Sequence, residues 1–355
     1  MGLASQQTDA EPAPVVDWAL AASVAKLLVS SGPDVSVDEA VEAVRQLRAL
    51  AITAEGHVRE LTGLGQGLPI RPGKVVDRAG WIDSATNGLQ ALTSGVLLAE
   101  LPSGTTRRFA AGAAGLQAGL ALGYLGSRVL GQYDPYGDPD GEGRLLLVAP
   151  NVVAVQRVLD VPAHDFRLWV CLHEATHRLQ FTAVPWLREH FAGLVASFLS
   201  TMDSTASGLV ERLPEALRAA RRGSADGEAG GLIAYLQSPQ QRDALNKLLA
   251  LATLLEGHAD HVMDAVGPQV VPSVATIRTR FTARRRGGGL LDRLLRALLG
   301  VDAKVRQYTK GAAFTRHVVE AVGMPGFNAV WTSAQTLPTR AEIDDPDSWL
   351  RRVNP

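Results

Sequence analysis

Residues 173–177 read His173-Glu174-Ala175-Thr176-His177, an HExxH pattern in a stretch with helical character. Positions four apart share one face of a helix, so His173 and His177 would present two imidazoles, one turn apart, to a single metal ion. Glu174 can reach the open side of such a metal and act on water there. Apolar Phe166, Trp169, Val170 and Leu172 ahead of the motif suit a helix packed on more than one side. Asp160 and Pro162 predict where that helix starts, as an Asp cap followed by a proline in the first turn.

Two histidines need at least one more protein ligand, and a catalytic site leaves a position for water. The best downstream stretch is Leu254-Leu255-Glu256-Gly257-His258-Ala259-Asp260-His261, which ends the apolar, helix-like run from Leu245. Glu256 and Asp260 lie one turn apart and can face the same way. Glu256 is then the first candidate for the third ligand. Asp260 would accept the remaining N–H of a ligating histidine and so fix its tautomer. Asp260, His261 and His258 stay open as rival ligands, although both histidines point to other sides of the helix if Glu256 faces the metal.

These segments, with Lys304-Val305-Arg306-Gln307-Tyr308-Thr309-Lys310-Gly311, resemble the zincin-like metallopeptidases of actinobacteria and relatives. The resemblance runs from about Val16 to Val353. It includes Val76-Asp77-Arg78-Ala79-Gly80-Trp81, Leu147-Val148-Ala149-Pro150-Asn151, and Leu337-Pro338-Thr339 followed by Glu342-Ile343-Asp344. The Glu256/Asp260 spacing is similar to that of gluzincins, where the Glu is a metal ligand and the Asp supports a histidine. The resemblance implies a mainly α fold with a small β-sheet, a zincin-like architecture and a Zn2+ cofactor. Members are often labelled as associated with coenzyme F420 biosynthesis, a label that rests on genomic association. Residues 1–14 are polar, acidic and Pro-containing and read as a disordered tail, followed by a helical N-terminal part over 15–130 and a zincin-like metal-site part over 131–355, packed together as one globular unit.

Composition agrees with a well-packed protein. Hydrophobic residues make up 46% and charged residues 20% of 355, ample for a large core. A net charge of −1 offers no general attraction to nucleic acid or to an anionic membrane, and neither is expected as a partner. One cysteine, Cys171, excludes an internal disulfide and fits a reducing compartment. It points away from the ligand face, as a small buried apolar residue would. No secretory signal is visible, so a cytoplasmic location is expected.

Helical spacing runs through Asp17–Ser30, Val37–Thr62 (capped by Ser36) and Arg78–Leu101. Ala110–Gly126 is uncharged and rich in Ala, Gly and Leu; it reads as a buried helix of a soluble protein. Its Gly115, Gly119 and Gly123 form a stripe that another helix can approach closely. Tyr133–Gly143 reads as a loop, and Leu145–Val148 as a strand just before the metal helix. In zincins a strand in that position typically borders the cleft and can pair with an extended peptide. Arg221–Gly231 is a Gly-rich break, and the Arg284–Arg286 run reads as a solvated cationic loop.

Amide hydrolysis develops an oxyanion, which needs a hydrogen-bond donor besides the metal. Tyr308, Arg306 and His317 are the candidates, and the sequence does not choose among them. The expected function is that of a zinc hydrolase, most simply a metallopeptidase acting on a peptide or amide carbonyl, with Glu174 as the base. The alternative is a non-catalytic zincin-fold binding or accessory protein. Such a protein would be free to lose Glu174 first, because that residue holds no metal.

Overall fold

The computed structural model describes residues 16–94, 105–138, 141–203, 239–286 and 301–355. The expected tail at 1–14, the Gly-rich break at 221–231 and most of the segment after Arg286 lie outside the described residues.

Helices dominate. Helix α1 (Trp18–Leu28) is capped by the Asp17 carboxylate. Helix α2 (Val37–Thr62) starts where Ser36 accepts from the Glu39 N–H, with Asp38 and Glu39 in its first turn. It stops at Gly63, whose left-handed φ of 72° turns its N–H back onto Arg59 O. Both limits of α2 are those expected from the sequence.

The small sheet has three strands, β1 (Lys74–Val76), β2 (Gly131–Asp134) and β3 (Arg144–Val148), in the order β1-β3-β2. The β3 strand lies parallel to β1 and antiparallel to β2. This corrects two expectations. Leu145–Val148 forms the middle strand, buried and paired on both sides, so its backbone has no bonds left for a peptide. The edge strands are β1 and β2, and β2 takes Tyr133 and Asp134 from the expected loop. Helix α3 (Arg78–Thr93) follows β1, capped by Asp77. Helix α5 (Ala149–Leu159) follows β3 directly.

Two of the segments that carry the family resemblance meet here. Arg78 donates to Asn151 Oδ1 at 2.7 Å and to Ser30 O at 3.1 Å. Asn151 in turn donates to the carbonyls of Gly126 and Val129. A buried guanidinium and a buried amide are thus satisfied by each other and by backbone carbonyls, and they tie α3 and α5 to Ser30 after α1 and to the Gly126–Val129 stretch ahead of β2.

Helix α4 (Thr105–Gly126) meets α1 along the glycine stripe. A Cβ on Gly115 would fall 2.5 Å from Asp17 O, and one on Gly119 would fall 2.8 Å from Ala21 O. The other face of α4 is not buried: Phe109 is 81% exposed, and Leu116 and Leu120 are exposed as well. The reading of a buried helix is therefore corrected to a half-covered one. Its Arg108–Gly126 portion is long and apolar enough to cross a membrane, by length and composition.

Helix α6 (Ala163–Thr182) carries the HExxH motif through the centre of the protein. Asp160 does not cap it. That residue sits at φ 50° and closes α5 instead, leaving Pro162 at the start of α6 without a side-chain cap. Helix α2 packs along α6, where Arg178 donates to the buried Glu55 at 2.8 Å and to Arg71 O. Glu55 also pairs with Arg59 at 2.5 Å, so removing Glu55 would leave the buried Arg178 guanidinium without a carboxylate. Cys171 is buried against α2, as expected.

Helices α7 (Leu187–Asp203) and α8 (Pro239–Ala265) pack together and against α6. After α9 (Gly267–Val270) and α10 (Val274–Arg286) comes α11 (Val301–Phe327), which is broken at Gly323. Helices α8 and α11 touch backbone to backbone, since a Cβ on Gly257 would land 2.1 Å from the Gly311 carbonyl carbon. Gly257→Ala is therefore expected to cost on the order of 1–3 kcal/mol through forced separation of the helices, read as a shift in the urea midpoint. A 3-10 turn (Asn328–Trp331), α12 (Arg340–Asp344) and α13 (Pro346–Val353) close the chain. The Thr339/Glu342 pair from the resembling segment is the capping box of α12. A hydrophobic core cluster runs from Leu47 to Trp349, drawing residues from both sides of position 130.

Candidate metal centre

Helix α6 presents His173 and His177 on one face, and α8 brings Glu256 against them. The two Nε2 atoms are 3.1 Å apart. Glu256 Oε2 is 3.6 Å from His173 Nε2, and its Oε1 is 4.0 Å from His177 Nε2. All three ligand atoms fall within 4.8 Å of one another. Ligands about 2.1 Å from a tetrahedral zinc sit roughly 3.4 Å apart, so the trio spans one face of such a tetrahedron.

The outer ring atoms explain why a cation fits. His173 Nδ1 faces the Met263 sulfur at 3.2 Å, and His177 Nδ1 faces Gln180 Oε1 at 2.9 Å. The Gln180 oxygen accepts, so His177 Nδ1 donates outward and, in the neutral ring, its Nε2 lone pair faces the centre. The two Nε2 atoms at 3.1 Å with a carboxylate beside them form a donor set that suits a divalent cation.

Glu174 is buried at 5% exposure, and its pKa is driven well above the ordinary carboxyl value, first by burial and then by the Glu256 charge. Its side chain rests on the bare Cα of Gly131 at the start of β2. A Cβ there would lie 2.6 Å from Glu174 Cγ and 2.9 Å from Oε1. Gly131 does not have positive φ, so alanine suits its backbone and only space forbids it. Gly131→Ala is expected to displace the Glu174 carboxyl and cut turnover roughly 10- to 100-fold. Zinc content by elemental analysis should stay at the wild-type level.

Several expected residues stand elsewhere. Asp260 accepts from Arg278 of α10 at 3.1 Å, while Gln180 and Met263 face the outer nitrogens of the two histidines. Sharing a face with Glu256 was not enough, because one turn further along α8 the neighbouring element is α10. His258 is fully buried under Phe327 and Trp331, with Nδ1 3.1 Å from Gln180 Nε2. Burial pushes its pKa down to about 3. His261 lies near Arg316 and Glu320 of α11, and burial lowers its pKa too. His317 is drawn to the C-terminal helix, where Nε2 is 2.7 Å from Asp347 Oδ1, so it does not serve the centre as a donor. Tyr308 and Arg306 fall on α11, but their side chains lie outside the described residues.

Three contributors escaped the sequence reading: Gly131, Gln180 and Met263. Gln180 had a local signal, since it lies one turn after His177 on the same helix. Gly131 and Met263 had none, because both reach the centre only through tertiary packing.

A mostly helical protein with a three-stranded sheet and a two-histidine, one-carboxylate centre on crossing helices falls in the zincin-like class. Residues 16–350 match the model of the family described as zincin-like metallopeptidase, and the chain belongs to that family. A crystal structure described as that of a proposed hydrolase with a novel fold, from Chloroflexus aurantiacus, is similar at 28% identity and a TM-score of 0.67. The match covers 96% of this chain and 99% of that one. Comparison with curated proteins returned no match.

Proposed function

We propose that this protein is a zinc-dependent hydrolase of amide bonds, with peptides as the first substrate class. The observation that carries the proposal is the convergence of three donor atoms beside a buried carboxyl group. His173, His177 and Glu256 would hold the metal. When bound, zinc supplies Lewis acidity to a carbonyl oxygen and to water.

The rest of the chemistry belongs to Glu174. Its carboxylate accepts a proton from the attacking water as the new C–O bond forms, then donates it to the amide nitrogen as the C–N bond breaks. Burial suits this role, because it raises the carboxyl's proton affinity well above that of an ordinary carboxyl group. The β2 strand supports the peptide reading. It is one of the two edge strands of the sheet, and Gly131 at its start lies against Glu174. An extended substrate pairing with β2 would therefore bring a carbonyl near the centre.

The test is hydrolysis of a panel of peptides and small amides by the zinc-loaded protein, with products identified by mass spectrometry. Cleavage by wild type and its loss in Glu174→Gln supports the proposal. Full zinc loading with no cleavage of any substrate would favour a binding role for the same site.

A further inference from the structure

We infer that Gln180 and His258 form a buried relay that sets the tautomer of His177 and aims its Nε2 lone pair at the metal position. This rests on the reading of the centre as a metal site and assigns positioning roles within it.

The starting point is a group whose chemistry is fixed. The Leu255 backbone carbonyl can only accept, and it lies 2.9 Å from one end of the Gln180 amide. That end must be the NH2, because a carbonyl oxygen there would face another oxygen with no proton between them. The same nitrogen lies 3.1 Å from His258 Nδ1. Its second N–H points to that ring atom, which must accept. His258 therefore carries its proton on Nε2.

With the NH2 end committed, Gln180 Oε1 faces His177 Nδ1 at 2.9 Å. An amide oxygen only accepts, so Nδ1 of His177 is the protonated nitrogen. In the neutral ring its Nε2 then carries the lone pair, facing His173 Nε2. Each step forces the next, from a main-chain carbonyl to the metal-facing atom.

Burial gives the relay its selectivity. Gln180 and His258 are both fully buried, so water cannot replace a missing partner. Among the described residues His258 Nε2 has no hydrogen-bond partner, and the ring sits among those of Phe327 and Trp331. A buried donor without a partner is a cost that an apolar side chain would avoid. Holding the second Gln180 N–H, and with it the orientation of the amide, is a reason for a histidine here. The same role explains why His258, two residues from Glu256, sits so near the centre without facing it.

The test has two readouts. In the full-length metal-free protein with 15N-labelled histidine, long-range 1H–15N spectra report which ring nitrogen holds the proton, with His177 assigned through His177→Gln. Expected are a protonated Nδ1 on His177 and a protonated Nε2 on His258. A proton on His177 Nε2 would overturn the proposal.

The second readout is zinc affinity, measured by competition with a chromophoric chelator, for wild type and Gln180→Met. Methionine keeps much of the volume and removes both amide functions. Affinity should fall roughly 10- to 100-fold. Unchanged affinity would overturn the relay while leaving the metal site intact. If Gln180→Met does not fold, the wild-type spectra alone decide the matter. Wild type that shows the expected tautomers yet binds no zinc would instead overturn the metal reading and leave the relay standing.

Discussion

Glu174→Gln should lower kcat/KM by about 100- to 10,000-fold while leaving zinc bound and making the metal-free fold more stable at neutral pH. The loss of rate follows from the missing proton acceptor, since an amide cannot take a proton from water. The gain in stability follows from burial. Glu174 is nearly inaccessible, and its folded-state pKa stands well above the value of 4.5 that holds when the chain is unfolded. Between those two values the folded protein holds a proton that the unfolded chain has released. Stability of the metal-free wild type therefore falls as pH rises through that window. Glutamine has no such term and is nearly the same shape. Thermal melting of both metal-free proteins between about pH 5 and pH 8 should show the variant gaining on wild type as pH rises. Parallel pH profiles would mean that Glu174 is solvated and not the buried base described above.

The second large effect concerns Glu256. Glu256→Ala should weaken zinc binding by roughly 100- to 1,000-fold, one ligand's share of the 10–16 kcal/mol that a complete protein zinc site supplies. His261→Ala, on the same helix but directed towards Arg316 and Glu320, should leave affinity unchanged. Metal competition assays on the two variants read the contrast directly. A larger loss in His261→Ala than in Glu256→Ala would reassign the third ligand.

Much of this was legible in the sequence where the signal was local. Ser36 and Gly63 bound α2 through backbone chemistry that depends on a few adjacent residues. The His173/His177 pair needed only helical periodicity, and Glu256 followed from the need for a third donor on a neighbouring helix. Reading failed where a residue's partner is distant. Asp160 has the chemistry of an N-cap, but its left-handed conformation ends α5 instead, a choice made by how two helices meet.

The short strands β1 and β2 were missed for a related reason. Three or four residues carry too little alternation to be seen, and each is defined by its pairing with β3. Asp260 shows the limit of face-sharing arguments: spacing put it beside Glu256, and Arg278 on another helix decided its bond. Gly257, between Glu256 and His258, is where α11 comes closest, a contact that no local pattern carries.

The most direct test of the central claim is zinc per chain, by elemental analysis of wild-type protein purified without added metal. Near one zinc per chain is the expected result, because two imidazole nitrogens and a carboxylate converge at the spacing that a tetrahedral ion takes. No zinc, even after incubation with excess Zn2+ and removal of the unbound ion, would contradict it.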